Sequence, residues 1–183
     1  MGEPEGAPTD GTASGAASGP ADVTVACYTF PHYHRSALSD RLYGPGWTEY
    51  LVMRGAGPWF PEHPQPRVPL LGELDERDPA TWERYVDLAA DHGVDVLLWD
   101  WYWYEGEPAL HEALEEAFLR APNHDRVKFA LMWVNHPWTR VYPTMSTDGS
   151  DAWEHACAAP DESLEDAWRS LSYLVARYFH HPS

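Results

Sequence analysis

The side chains best placed for chemistry are four carboxylates and two histidines read at the mouths of strands: Asp100, Glu49, Glu105, Glu107, His32 and His34. Cleavage of a glycosidic bond needs two carboxyl groups facing each other, about 5–5.5 Å apart for retention and about 6.5–9.5 Å for inversion. Asp100 sits inside Trp99-Asp-Trp-Tyr-Trp-Tyr104. A carboxylate flanked by indoles loses hydration, so its pKa rises towards that of a general acid. The same placement also suits a hydroxyl acceptor or, more simply, a structural hydrogen bond. Aromatic faces beside carboxylates match sugars, whose C–H faces stack on rings while their hydroxyls seek acceptors. The competing reading of the stretch is a rich aromatic core. Trp47, Tyr102, Trp103, Trp133 and Trp138 are the stacking candidates, with Trp103 and Trp133 alternatively filling an upper core layer. Glu105 and Glu107 read most simply as solvated loop charges, and Arg67 as a loop anchor or an anion clamp. His32-Tyr-His34 has the form of a paired metal ligand, which would make a metal-dependent hydrolase the second alternative function.

The elements that must position these groups follow from periodicity. Val23–Phe30 reads as a buried strand, and the stretch from Pro31 to Arg77 has no sustained period but many Gly and Pro. A loop of that length in a compact domain is usually functional. Asp78-Pro79 is an N-cap followed by proline at the first helical position, and Trp82, Tyr85, Val86, Ala89 and Ala90 then share a face. Gly93 closes that helix. Asp95–Tyr104 is a second strand, buried on both faces. Pro108–Arg120 is a helix with Leu110, Ala113, Leu114 and Ala117 inward, and Val127–Trp133 is a third strand. Asn135–Pro160 is a second long loop holding Trp138, Tyr142 and Trp153. Asp161–Phe179 is a last helix with Leu164, Trp168, Leu171, Val175 and Tyr178 as its inner stripe, so Trp82 and Trp168 are both expected in the core.

Strands alternating with helices predict an α/β fold with a parallel sheet. In each unit the polar and aromatic residues crowd after the strand, where α/β barrels place their sites. An eight-stranded barrel takes about 250 residues. The expectation is therefore the N-terminal three βα units of a (β/α)8 TIM-type barrel, truncated after the third, over residues 22–183. Residues 1–21, rich in Gly, Ala, Ser, Pro and Thr, read as a disordered low-complexity tail. Open edges on the first and third strands predict self-association.

With 12 Lys and Arg against 29 Asp and Glu, the net charge of −17 argues against nucleic acid and against anionic membranes as partners. No signal-like or membrane-spanning apolar run is present, which places the chain by default in the cytoplasm. Cys27 and Cys157 form no framework; Cys27 reads as a small core residue. There is no Gly-rich phosphate loop, Gly-x-Ser-x-Gly elbow or Cys-x-x-Cys pair, so no cofactor is expected.

Several blocks in order resemble the glycoside hydrolase family 99-like domain, also called WbsX-like. They are Tyr28-Thr-Phe-Pro-His-Tyr-His34, Gly46-Trp-Thr-Glu-Tyr50, Pro58-Trp-Phe60, His63-Pro-Gln-Pro-Arg-Val-Pro69, Asp75-Glu-Arg-Asp-Pro79, Gly93-Val-Asp95, Tyr102-Trp103, Trp133-Val-Asn135 and Trp138-Thr-Arg140. The resemblance implies a (β/α)8 barrel, hydrolysis of mannose-type glycans, and a glycan or polysaccharide as partner. It implies substrate-binding roles for Tyr28, His34, Trp47, Glu49, Tyr102, Trp103, Trp133, Asn135 and Trp138, beside Asp100. It also implies that the two reacting carboxylates lie on strands beyond residue 183, so no catalytic residue is assigned. A non-catalytic glycan-binding remnant is the first alternative. This chain departs from the family pattern at Asp100-Trp101, where many relatives carry histidine, and at Asn135-His-Pro-Trp138, where they carry a carboxylate.

Overall fold

A computed structural model describes residues 23–139, 156–158 and 163–181. The N-terminal tail, Arg140, Tyr142 and Trp153 lie outside the described residues.

The centre of the fold is β2 (Val96–Tyr104), flanked by two parallel strands, β1 (Ala26–Thr29) and β4 (Lys128–Val134). Leu98 pairs with Tyr28 on one side and Ala130 on the other, which fixes the register. β3 (Glu107–Ala109) turns back antiparallel onto the end of β2. Tyr102 faces Ala109 across one edge and Val134 across the other, so β3 occupies the edge that β1 leaves open. The two-residue turn Glu105-Gly106 has φ 56° and 83°, the left-handed pair that a tight hairpin of this hand requires. A separate antiparallel pair joins β5 (Trp138–Thr139) and β6 (Ala156–Ala158).

Among the described residues four α-helices accompany the strands. They are α1 (Ala37–Tyr43), α2 (Glu49–Gly55), α3 (Pro79–Asp91) and α4 (Leu164–Arg177). α3 starts as the sequence predicts: the Asp78 side chain accepts from the Ala80 N–H and Pro79 occupies the first turn. α4 starts at Ser163, whose hydroxyl accepts from the Asp166 N–H.

Alternation along β2 divides the core in two. Leu97, Trp99, Trp101 and Trp103 face the helical layer and pack with Trp82 and Val86 of α3, and with Leu114, Ala117, Phe118 and Tyr178. Tyr102 and Tyr104 point the other way, to Leu38, Leu110, Val134 and Ala158.

Several boundaries differ from expectation. The first strand is shorter than Val23–Phe30 and is not buried: Tyr28 is 75% exposed and Val25 also faces solvent. The irregular stretch before Arg77 holds α1 and α2, each seven residues long and too short to display a period. The expected helix over 108–120 is instead β3, then a π-helical turn at Ala113–Ala117, then a 3-10 turn at Phe118–Arg120. Its predicted inner residues Leu110, Ala113, Leu114 and Ala117 are all buried.

The stripe assigned to the last helix is turned outward. Leu164 is 83% and Trp168 68% exposed, and Leu171 and Val175 are open too; only Tyr178 of that stripe is buried. The face that packs inward is anchored by polar groups. Buried Asp166 accepts from the Trp103 indole N–H at 2.9 Å. Glu115 of the π-helical turn accepts from the Tyr173 and Tyr178 hydroxyls and from the Arg177 guanidinium. These bonds set the rotation of α4, and its hydrophobic period does not.

Candidate functional site

The residues that leave the C-terminal ends of β1, β2 and β4 form one aromatic group on the sheet face opposite α3. From the end of β1 come Phe30 and His32, from the segment before α2 comes Trp47, from β2 comes Tyr102, and from β5 comes Trp138. His32 is the hub, with ring centroids 5.3 Å from Phe30, 5.0 Å from Trp47 and 5.2 Å from Trp138. Trp138 meets Tyr102 edge-on at 5.3 Å, and its indole N–H donates to the Tyr43 hydroxyl at 3.0 Å. Tyr43 in turn stacks on Trp47 at 4.3 Å.

Polar groups frame these rings. The His32 Nδ1 lies 2.8 Å from Glu49 Oε1, and its Nε2 lies 2.9 Å from Ser39 Oγ. Asp100 points to the same face, two positions before Tyr102, and its Oδ1 is buried without a hydrogen-bond partner among the described residues. Burial raises its pKa above the ordinary carboxylate value, and His136 nearby partly offsets that rise. Burial likewise pushes the Tyr104 hydroxyl up to about 12, so at neutral pH it is a donor, and it donates to the His136 carbonyl at 3.0 Å.

The structure thus brings together Trp47, Glu49, Tyr102 and Trp138, with Asp100 one layer below. Tyr28 shares the face but sits lower, beside Leu98, and is exposed. Asn135 is exposed on the segment leaving β4. Three predicted residues lie elsewhere. Trp103 is on the helical side, 3% exposed, with its N–H committed to Asp166. Trp133 is on that side too, where it lines an apolar cavity of about 350 Å³ with Trp101, Phe129, Leu174 and Tyr178. Strand alternation puts both a half-period out of step with Asp100 and Tyr102.

His34 is the third. It is buried between two carboxylates, with Nε2 3.5 Å from Glu112 and Nδ1 3.7 Å from Glu76. At these separations the contacts are ion pairs rather than well-formed hydrogen bonds. Burial alone would lower the His34 pKa, but the paired carboxylates outweigh it and hold it above the ordinary value. His32 and His34 therefore serve different partners. No three His, Cys, Asp or Glu side chains converge as a metal site among the described residues.

Sequence reasoning missed Phe30 and Tyr43 as members of the aromatic group, and His32 as its hydrogen-bonded hub. The local signal was Phe30-Pro-His32 at a strand end. The partners of His32 come from residues 7 and 17 positions away, which no local pattern exposes.

The rings pack chiefly on one another, with Tyr102 4% and Trp47 6% exposed and Trp138 half-buried, while Phe30, the partly desolvated Asp100 carboxylate and the His32-held Glu49 carboxylate stand at the rim. Carboxylates so placed can accept hydroxyl protons, and a part-exposed ring such as Phe30 can meet an apolar face. No helix among the described residues is long and apolar enough to cross a membrane.

A family model described as Glycosyltransferase WbsX matches residues 24–164. The chain is also 27% identical over 161 residues to two curated proteins, each called Uncharacterized protein WxcX, from Xanthomonas campestris pv. campestris strains B100 and ATCC 33913. Each match covers 87% of this chain and 22% of the relative, so the chain spans about a fifth of the length of the curated relatives it matches.

Proposed function

The chain belongs to the WbsX family, and on that premise we propose that it forms the glycan-recognising N-terminal part of a carbohydrate-active barrel. In this reading residues 22–183 supply the first three βα units of a (β/α)8 architecture. The glycan, of mannose-containing type, lies across the C-terminal ends of β1, β2 and β4. The observation that carries the reading is the convergence of Trp47, Tyr102 and Trp138 with Glu49 and Asp100 at that one end of the sheet. The part-exposed rings of Phe30 and Trp138, with buried Tyr102 packed against both, supply apolar surface, and the two carboxylates accept hydroxyl protons. In the complete barrel the reaction is hydrolysis of a glycosidic bond, with acid and base supplied by later strands. A second reading, transfer of a sugar to an acceptor, is favoured by the family's description as a glycosyltransferase. Incorporation of heavy-oxygen water into the released reducing end is the outcome that hydrolysis requires. Products that appear only with an activated sugar donor and an acceptor would replace it by transfer.

Asp100→Asn tests the binding face. A hydrogen bond to a charged acceptor is worth about 1.5–3 kcal/mol, so affinity for manno-oligosaccharides in titration calorimetry is expected to fall roughly tenfold or more. Stability should move the other way. A carboxylate whose folded pKa is raised loses stability as pH climbs from its unfolded value through its folded one. The asparagine variant is free of that loss and should be at least as stable as the parent at neutral pH. Undiminished affinity in a folded Asp100→Asn protein would remove Asp100 from the site.

A further inference from the structure

We infer that Ser36, Ser39 and His32 form a proton-ordered relay whose purpose is to present Glu49 as a fixed acceptor for a sugar hydroxyl; the sugar part of this inference rests on the glycan reading above. Every proton in the chain of bonds can be assigned. The Ser36 hydroxyl donates to Ser39 Oγ at 2.8 Å, and Ser36 Oγ itself accepts from the Ser39 backbone N–H at 3.0 Å. With Ser39 Oγ already accepting, its own proton goes to the remaining neighbour, His32 Nε2, at 2.9 Å. Nε2 is then the acceptor of a neutral imidazole, so the ring proton sits on Nδ1 and is donated to Glu49 Oε1 at 2.8 Å. The opposite tautomer, with the proton on Nε2, would set the Nδ1 lone pair 2.8 Å from the Glu49 carboxylate and turn the Ser39 proton back to Ser36, whose own buried hydroxyl proton then has no acceptor among the described residues.

The order of groups resembles a nucleophilic triad, with serine, histidine and carboxylate in line. Burial argues for the opposite direction of use. Ser39 is 0% and His32 1% exposed, whereas the Glu49 side chain is 28% exposed and is the end that meets solvent. Oε1 is held by His32, and Oε2 takes no hydrogen bond among the described residues. The His32 ring also packs against Trp47 and Trp138, so the relay fixes the carboxylate relative to the two stacking indoles. His32 is thus a positioning residue, acting through Glu49, and a sugar hydroxyl at the exposed end of that carboxylate is what Glu49 reads.

The test uses the full chain and two readouts. Nitrogen NMR of the unliganded protein should show His32 protonated on Nδ1, with a signal that moves in Glu49→Gln. His32→Asn retains an amide N–H near the Nδ1 position, whereas His32→Gln places its amide near Nε2. Both variants are expected to melt lower by similar amounts. His32→Asn should keep manno-oligosaccharide affinity within roughly threefold of the parent, and His32→Gln should lose roughly tenfold or more. A proton on Nε2 would overturn the relay, as would equal affinity losses in the two variants. If the parent itself binds no manno-oligosaccharide, the glycan reading of the site fails, and the tautomer measurement alone still decides the relay.

Discussion

Glu115→Ala is expected to cost about 3–5 kcal/mol of unfolding free energy, the range for stripping one partner from a buried ionic network. The Glu115 carboxylate is buried and gathers the hydroxyls of Tyr173 and Tyr178 and the Arg177 guanidinium, the last two at 2.6 Å. Those donors all come from α4 and its C-terminal turn, while Glu115 sits in the π-helical turn that follows β3. Removal leaves the buried Tyr178 and half-buried Tyr173 phenols without this acceptor and frees α4 from the sheet, since the apolar stripe of that helix faces outward and cannot hold it. Desolvation and the adjacent carboxylate both raise the Tyr178 pKa, so its proton stays on and the phenol remains a donor throughout the physiological range. Glu115→Gln keeps the volume and one carbonyl acceptor, so its loss should be smaller, about 1–3 kcal/mol. Urea unfolding of the two variants checks both values. Equal and small losses would mean that the apolar contacts of Tyr178, and not the carboxylate, dock α4.

That dependence on polar hooks explains which parts of the fold were legible in the sequence. Asp78-Pro79 and Gly93 bracket α3 because capping and helix termination are local chemistry, readable within a few residues. The run through β2 was equally plain. The rotation of α4 was not, because hydrophobic period assumes that the apolar stripe is what packs. Here Asp166 and the tyrosines pack instead, against partners 58 to 63 residues away. The turn at Glu105-Gly106 hid a hairpin because only the glycine announced a positive φ, while its neighbour adopts one too. At the site, Asp100, Tyr102 and Trp103 were read together as binding residues of a strand buried on both faces, whereas period-two alternation puts Trp103 on the side opposite the other two. Trp47 and Glu49 came from the family resemblance, since nothing in the composition of residues 31–77 distinguishes them. His34 stood out as a histidine after a strand, but both its partners, Glu76 and Glu112, are remote in sequence.

His34→Leu is expected to cost a further large amount, about 3–5 kcal/mol at mildly acidic pH, because it leaves two largely buried carboxylates facing each other without the cation between them. Glu76 is fixed by the Tyr33 N–H at 2.8 Å, and Glu112 has His111 3.9 Å away. Neither can easily turn towards water. The pH dependence follows from the directions of the shifts. The folded pKa of His34 is raised above 6.5, so its contribution is complete below that value and is lost as pH rises through the folded pKa. Burial raises the Glu112 pKa, but the ion pair with His34 and other favourable contacts outweigh it and hold it below 4.5. Its contribution is therefore complete above 4.5 and is lost as pH falls through the folded value. The stability gap between parent and variant should therefore be widest from about pH 4.5 to 6.5 and should narrow on either side. His34→Gln, which keeps hydrogen-bonding groups but no charge, should show a smaller gap that varies less with pH. Unfolding free energies of the three proteins from pH 4 to 9 check this. A parent-minus-leucine gap that stays flat across that range would mean that His34 fills space between Glu76 and Glu112, and that the carboxylates tolerate each other without its charge.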